Sequence, residues 1–543
     1  MRAIDYFDKA ADLYPDRTAI IDGARRFSFR ETRDISDRIA RAMRALMLTG
    51  DERAALYSPN DARVLFCMLG VLRAGAVWIP VNSRNAVDAI ITYMNYVETS
   101  WLFYHAIFQD AVEEIKARVP TLRHLICLDD WGGERREDDG KNAAKEPQRN
   151  SIADRSQSLE DFMKLGTGVE QSDWGDAYGN IEQLVGLVPT GGTTGPAKGV
   201  RVTNLAWGTM TEMASHYWRS ADVEPVCLDT APLSHAAGVV AFATLAIGAT
   251  NVIMSRFDAQ EVLGNIQKFK VTHLFLPPTA FYNLLAHPQV NEFDYSSLRV
   301  FLLAGSPVSP DKLKLGVEVF GPCMCQCYGQ TESPMLLTWL DQRTVADAAG
   351  GAHPERLASC GRPTSAVRLA IMNDAGHILG PNEPGEIVAR GSLVTSGYYK
   401  LAEATAEIRA HGWHHTGDVG YIDNDGFVFI VDRKKDMIIS GGFNVFCAEV
   451  EAAIMSMPQV YECAVIGVPD DKWGEAVKAL VVLGQARSLT EQEIITHCKA
   501  RLGGVKAPKS VEFRQEILKT PAGKIDRKAM RKPYWENTDR DVH

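Results

Sequence analysis

Thr190-Gly191-Gly192-Thr193-Thr194-Gly195-Pro196-Ala197-Lys198-Gly199 follows directly on the apolar run Leu184-Val185-Gly186-Leu187-Val188-Pro189. Its glycines let the backbone turn with N–H groups facing one point, and the hydroxyls of Thr190, Thr193 and Thr194 with the Lys198 ammonium can complete a cradle for phosphate oxygens. The stretch reads as a phosphate-binding loop. Its spacing departs from the Walker pattern, because no glycine precedes a Gly-Lys-Ser/Thr triplet at the required distance, which disfavours an ordinary P-loop nucleotidase. Taken alone it reads equally as a mobile surface loop, so its partners elsewhere in the chain decide.

Around this loop the pattern is α/β. Residues 1–130 alternate amphipathic helical segments, such as 34–46, with the strand-like runs Ala54-Ala55-Leu56-Tyr57 and Ala76-Val77-Trp78-Ile79-Pro80. That alternation predicts layers around a largely parallel sheet, with ligands bound beyond strand ends. Residues 131–157 offer almost nothing to bury and read as a solvated loop. From 181 to about 338 the alternation resumes as a second α/β unit. Beyond about Ser359, turn pairs such as Pro384-Gly385 and Asp425-Gly426 break the chain into short runs, predicting a small β-rich unit. Apolar patches at 450–455, 464–468 and 479–483 predict a compact α+β tail.

The chain has 543 residues, enough for more than one domain, with 46% hydrophobic and 23% charged residues. A formal net charge of -10 argues against a nucleic-acid footprint, so no nucleic-acid partner is expected. Met1-Arg2-Ala3-Ile4-Asp5-Tyr6 lacks the basic-then-apolar pattern of a signal peptide. The apolar stretch 239–249 is about half a membrane span and reads as core rather than as an integral membrane segment. Ten scattered cysteines then fit reduced thiols in a cytoplasm. Cys323, Cys325 and Cys327 cluster with a spacing that predicts one face of a strand, and no CxxC or nearby histidine completes a tetrahedral metal site.

Further stretches have residue chemistry that fits the loop. Tyr328-Gly329-Gln330-Thr331-Glu332 places Glu332 on a loop at a strand end, where a carboxylate can hold Mg²⁺ against phosphate oxygens or can simply be solvated. Gly412-Trp413-His414-His415-Thr416-Gly417-Asp418 ends a turn with an acid that can accept from both ribose hydroxyls or stabilise the turn. Asp432-Arg433-Lys434-Lys435-Asp436 reads as a solvated linker, and Ser440-Gly441-Gly442-Phe443-Asn444 allows close approach to the backbone. Pro521-Ala522-Gly523-Lys524 presents a lysine from a tight turn, within a basic stretch (501–534) that reads by itself as solvated surface. Phosphate cradle, Mg²⁺ acid, ribose acid and lysine all suit one ligand.

In this order the motifs resemble those of the adenylate-forming superfamily: acyl-CoA synthetases, peptide-synthetase adenylation domains and firefly luciferases. Residues 190–199 are similar to its TSGTTGxPKG loop, 328–332 to its YGxTE, 413–418 to its TGD segment and 521–524 to its PxGK. Gly191 and Ala197 depart from the usual serine and proline, removing a hydroxyl and some rigidity. The resemblance implies a large N-terminal domain, 1–434, of two α/β sheet layers plus a β-barrel-like unit, and a small mobile α+β domain, 435–543, hinged at Lys435. It implies ATP held by Thr190, Gly191, Gly192, Thr193, Thr194, Gly195, Lys198, Tyr328, Gly329, Thr331, Asp418, Arg433 and Lys524, with Mg²⁺ on Glu332. Catalysis would fall to Lys524, Glu332 and Thr194. Gly441, Trp473 and Lys509 would serve CoA, although Val505 and Ala507 stand where CoA-forming relatives can carry an aromatic residue and an arginine.

By the same resemblance His235 borders the acyl pocket, and the segment 233–238 has no aspartate to pair with an α-ammonium, which weighs against amino-acid activation. Ala236, Ala237, Ala304, Gly305 and Gly329 are small and leave room for an aryl ring or a medium chain. The expected activity is an AMP-forming carboxylic acid:CoA ligase for an aromatic or medium-to-long aliphatic acid, with a homodimer as an admissible assembly. Competing readings are a ligase that loads a carrier protein, a luciferase-like oxygenase, and a nucleotide-binding regulator without turnover. The complete set of charged residues speaks against the last.

Overall fold

The computed structural model of the chain describes residues 1–47, 51–129, 156–169, 180–190, 197–219, 223–234, 236–441, 443–470, 473–484, 487–520 and 525–535. Two large sheets carry the first two-thirds of the chain. One runs, edge to edge, Ser156–Ser158, His124–Cys127, Trp101–Tyr104, Arg53–Tyr57, Val77–Pro80, Leu184–Pro189 and Gly199–Thr203. The other runs Arg362–Pro363, Ser333–Leu340, Met324–Gln330, Val300–Leu303, His273–Leu276, Val226–Asp229, Thr250–Ile253, Thr18–Asp22 and Arg25–Ser28. Most neighbours are parallel, and antiparallel pairs close both edges of the second sheet and one edge of the first, whose other edge is the parallel strand Ser156–Ser158.

The two units expected from local alternation are therefore interleaved. The hairpin at 18–28 leaves the first unit to pair Ile20 with Asn251 of the second sheet. Leu184–Pro189 and Gly199–Thr203, which flank the phosphate-loop sequence, close the edge of the first sheet. Local pattern sets the class of each element, whereas partner choice follows burial of shared apolar faces.

Helices fill the space between and around the sheets. Phe29–Leu46 starts at Ser28, which accepts from the Glu31 N–H while Glu31 returns a bond to the Ser28 backbone. All 13 residues of Ala62–Ala74 are buried. Its two arginines are paired, Arg63 with Asp61 at 2.7 Å and Arg73 with Asp8 at 2.6 Å, so that charge can enter the core. Trp78, Trp207 and Phe242 meet edge to face and join the first sheet to helices Asn204–Trp218 and Ala236–Ala246. The apolar stretch at 239–249 is thus core, and no helix among the described residues is long and apolar enough to cross a membrane.

The cysteine run corrects one expectation. Cys325 and Cys327 lie in the strand and share the large inter-sheet core, but Cys323 precedes the strand, bonds the Phe320 carbonyl and packs in the outer core. Burial pushes the Cys323 and Cys327 thiols up to about 12.

The β-rich unit after Ser359 is an antiparallel meander of Val367–Met372, Gly385–Gly391, His414–Ile422 and Val428–Arg433. Beyond it, Ile438–Ser440, Phe443–Val445, Val460–Asp470, Gly474–Leu483 and Ser510–Phe513 form a sheet covered by Cys447–Met455, Glu491–Lys506 and Arg527–Trp535. Ile438, Val450, Val465, Val477 and Ile494 share its core.

Candidate active site

The strands on either side of the 190–199 sequence, Leu184–Pro189 and Gly199–Thr203, pair antiparallel. Just beyond them Thr190 and Lys198 pair as well: Thr190 N–H donates to the Lys198 carbonyl at 3.0 Å, and Lys198 N–H donates to Thr190 Oγ1 at 3.1 Å. Gly191, Gly192, Thr193, Thr194 and Gly195 lie outside the described residues, as do His235, the Ala236 side chain and Lys524. Lys519 and Ile525 pair antiparallel on either side of the segment that holds Lys524.

A segment with no motif of its own joins the loop to the site. Residues 395–399 run beside Gly199–Thr203, with Tyr399 N–H on the Gly199 carbonyl at 2.8 Å and Arg201 N–H on the Gly397 carbonyl at 2.9 Å. On the other side Thr395 N–H donates to the Glu332 carbonyl at 2.8 Å. Tyr398 sits between these two connections. Its hydroxyl donates to Glu332 Oε1 at 2.6 Å, and Lys198 Nζ lies 4.8 Å from its ring centroid, a cation–π contact. Burial and the Glu332 carboxylate hold the phenol well above its ordinary value. Lys198, Tyr398 and Glu332 thus form one row that motif spacing alone did not show. An aromatic pair after a glycine carries no functional signal.

Glu332 occupies the two-residue turn between Met324–Gln330 and Ser333–Leu340, at the strand end where it was expected. Thr331 is the other residue of that turn. Gly329 corrects a second expectation: a Cβ there would lie 2.5 to 2.6 Å from the Met335 backbone, so its smallness serves the hairpin and gives no room to a substrate. Met335 itself sits at a φ of 59°. Gly305, by contrast, faces open space just past Val300–Leu303, beside half-buried Ala304. Ala237 is buried at 4% exposure.

Asp418 lies within strand His414–Ile422, after Gly417 at a φ of 70°, where a turn was expected. It is 5% exposed. Tyr328 OH donates to its Oδ2 at 2.6 Å, and Gln330 Nε2 donates to the same oxygen at 2.8 Å. Arg433 Nε stands 3.4 Å from Oδ1, at the end of the neighbouring strand. Burial and the Asp418 charge raise the Tyr328 phenol far above its usual value.

The presumed linker is built into the fold. Asp432 is 6% exposed and accepts the N–H groups of Arg433 and Cys447, the latter opening helix Cys447–Met455. Burial pushes its carboxyl up to about 6. Partial burial and neighbouring Arg433 hold the Lys435 ammonium below its ordinary value. Much of the basic excess at 501–534 is paired with acids, as in Lys506–Glu449, Lys519–Glu462 and Arg527–Glu451.

Gly441, Trp473 and Lys509 meet in one patch. Gly441 N–H donates to the Trp473 carbonyl at 2.7 Å, and a Cβ on Gly441 would lie 2.5 Å from the indole. Lys509 Nζ sits 5.3 Å from the Trp473 ring centroid.

A family model described as AMP-binding enzyme matches residues 7–399, and one described as AMP-binding enzyme C-terminal domain matches residues 449–524. A medium/long-chain-fatty-acid–CoA ligase of Mycobacterium tuberculosis is 40% identical over 369 residues, spanning 66% of this chain and 63% of that protein. A feruloyl-CoA synthase of an Amycolatopsis species is 32% identical over 534 residues, 97% of this chain and 98% of the relative. Among solved structures, an amide bond synthetase from Marinactinospora thermotolerans superposes with a TM-score of 0.84 at 26% identity, covering 98% of this chain and 100% of that one. An o-succinylbenzoate CoA synthetase from Bacillus subtilis, in complex with its acyl-adenylate, gives 0.80 at 25% identity, with 99% of each chain covered.

Proposed function

Because the chain belongs to the AMP-binding enzyme family, we propose that it activates a carboxylic acid as acyl-AMP and passes the acyl group to the thiol of CoA. A carboxylate oxygen attacks the α-phosphorus of ATP and pyrophosphate leaves; the CoA thiol then displaces AMP from the acyl carbon. One observation carries the reading: motifs far apart in sequence converge as the Lys198–Tyr398–Glu332 row and the Tyr328–Gln330–Asp418 cluster. The acid is aromatic or medium-to-long aliphatic, in line with the fatty-acid and feruloyl ligases among the relatives.

The first step brings two anions together, so its barrier is largely electrostatic and entropic. Lys524 is assigned the bridge between carboxylate and α-phosphate, and the loop 190–199 the grip on the β- and γ-phosphates. Thr194 and Lys198 donate there, and Thr331 and Gly329 shape the turn that aims Glu332. Asp418 takes the ribose with Arg433 beside it. Glu332 fits a Mg²⁺ ligand, since its hydrogen bond among the described residues falls on Oε1 alone and Mg²⁺ needs only one or two carboxylates besides phosphate oxygens. When bound, the ion offsets charge on the departing pyrophosphate.

The chain divides at 434/435, with Lys435 as the hinge about which the tail reorients between steps. Gly441 keeps the thiol path open beside Trp473, and Lys509 with Trp473 contacts the CoA nucleotide. His235 with Ala236, Ala237, Ala304 and Gly305 borders the acid. The working compartment is the cytoplasm, and a homodimer is compatible with this chemistry.

Incubation with ATP, Mg²⁺, a panel of acids and either CoA or a holo carrier protein, with products identified by mass, tests the proposal. AMP release with acyl-CoA is the expected result. Acyl-AMP that transfers only to the carrier protein, oxygen uptake, or no AMP at all would each replace it with a competing reading.

A further inference from the structure

Gln330 Nε2 faces two acceptors, the Thr416 carbonyl at 2.7 Å and Asp418 Oδ2 at 2.8 Å. The nitrogen of the amide must point that way, because an oxygen there would meet two oxygens. The amide oxygen is then left facing His414 Nε2 at 3.3 Å. An acceptor in that position needs a donor, which fixes the proton of His414 on Nε2. His414 is 4% exposed, in a buried setting that favours the neutral ring, so one N–H is available and it is committed to Gln330.

From this geometry we infer that His414 is a positioning residue for nucleotide selection: its Nε2–H locks the Gln330 amide, and Gln330 with Tyr328 saturates Asp418 Oδ2 so that Oδ1 is presented to the ribose. A flipped amide would turn its oxygen toward the Asp418 carboxylate and push the acid off its position. An apolar side chain at 414 leaves the buried amide oxygen without a donor, so that the Gln330 side chain is held only by the Thr416 carbonyl and Asp418 Oδ2 and can leave them for a rotamer that satisfies its oxygen. The inference rests on the proposed ribose role of Asp418.

Calorimetric binding of ATP, 2′-deoxy-ATP and 3′-deoxy-ATP, without acid or CoA, tests it independently of turnover. The wild-type chain should prefer ATP by about tenfold or more over the weaker deoxy analogue, the worth of one charge-assisted hydrogen bond. His414→Leu should cut that preference to about threefold or less, and His414→Gln, which restores an N–H donor at similar reach, should recover most of it. Adding Gln330→Leu to His414→Leu should bring no further loss, since both act through one chain. Should His414→Leu fail to fold, Gln330→Leu alone must show the same collapse. The relay is overturned if His414→Leu keeps the wild-type preference within twofold, or if the two losses multiply. A wild-type chain that binds ATP and both deoxy analogues equally overturns the ribose role of Asp418 as well, which separates that failure from failure of the relay.

Discussion

At the scale of single residues, burial decides which charge states the site can use. Burial, with the positive potential of His415 and Arg409 and only partial relief from Glu386, pushes the His414 imidazole down to about 4. The unfolded chain, with an ordinary value near 6.5, binds the extra proton first as pH falls. Stability from this residue is therefore complete above about pH 6.5 and drains away between 6.5 and 4, to a total of about 3 kcal/mol. Denaturant titrations at pH 7 and 4.5 should show His414→Gln losing about 2 kcal/mol less than wild type over that interval; equal losses would contradict it. Tyr398 acts by its hydroxyl rather than by titration. Tyr398→Phe keeps the ring under Lys198 but frees Glu332 Oε1, and ATP–pyrophosphate exchange should fall about tenfold, the usual worth of a hydrogen bond to a carboxylate. A change in melting temperature without a change in exchange would make the contact merely structural. Neither residue could be read as functional from sequence, because its role appears only when another strand is placed beside it.

At the scale of elements, the same small residue types carry different physical meanings. Gly305 and Gly329 both read as room for a substrate, yet only Gly305 faces open space, while Gly329 lies against the Met335 backbone. Gly329→Ala forces a backbone shift in the hairpin and should cost about 2 kcal/mol, as overpacking does, while moving Tyr328 and Gln330 off Asp418. Thermal melting together with the KM for ATP checks this: both should change, whereas a variant with wild-type melting and KM would refute the close approach. The class of some elements was legible from apolar periodicity, as for Phe29–Leu46 and Arg53–Tyr57, whereas His414–Ile422 was read as a turn. The crossing of Thr18–Asp22 into the second sheet was not, because nothing local in those residues distinguishes one parallel neighbour from another. Glu332 and Asp418 stood out in the sequence as acids beside glycine turns; their placement in a hairpin turn and a strand needed the register.

At the scale of the whole molecule, the question is how the tail serves a site built by the rest of the chain. The connection is structured: Asp432 accepts the Cys447 N–H and so holds the first turn of Cys447–Met455, and within the tail Arg527 grips Glu451 on that same helix through Nη2 at 2.6 and 2.7 Å. The charge run at 432–436 looked like linker because sequence shows charge but not the N–H groups that satisfy it. A tail that reorients about Lys435 would present Lys524 for adenylation and the Gly441–Trp473–Lys509 patch for thioester formation, so variants in the two places should fail in opposite half-reactions. Lys524→Ala removes the charge proposed to bridge two anions, and acyl-AMP formation, followed by pyrophosphate exchange, should drop by about 10²- to 10³-fold, the scale for losing one preorganised group. Thioester formation from supplied acyl-AMP should stay within several-fold of wild type. Gly441→Ala adds a methyl 2.5 Å from the indole at a φ of 59°, so it should displace Trp473 and slow thioester formation at least tenfold while leaving exchange nearly unchanged. Measuring both half-reactions for both variants is decisive, because a rigid tail that served one conformation only would show each variant losing the two steps equally.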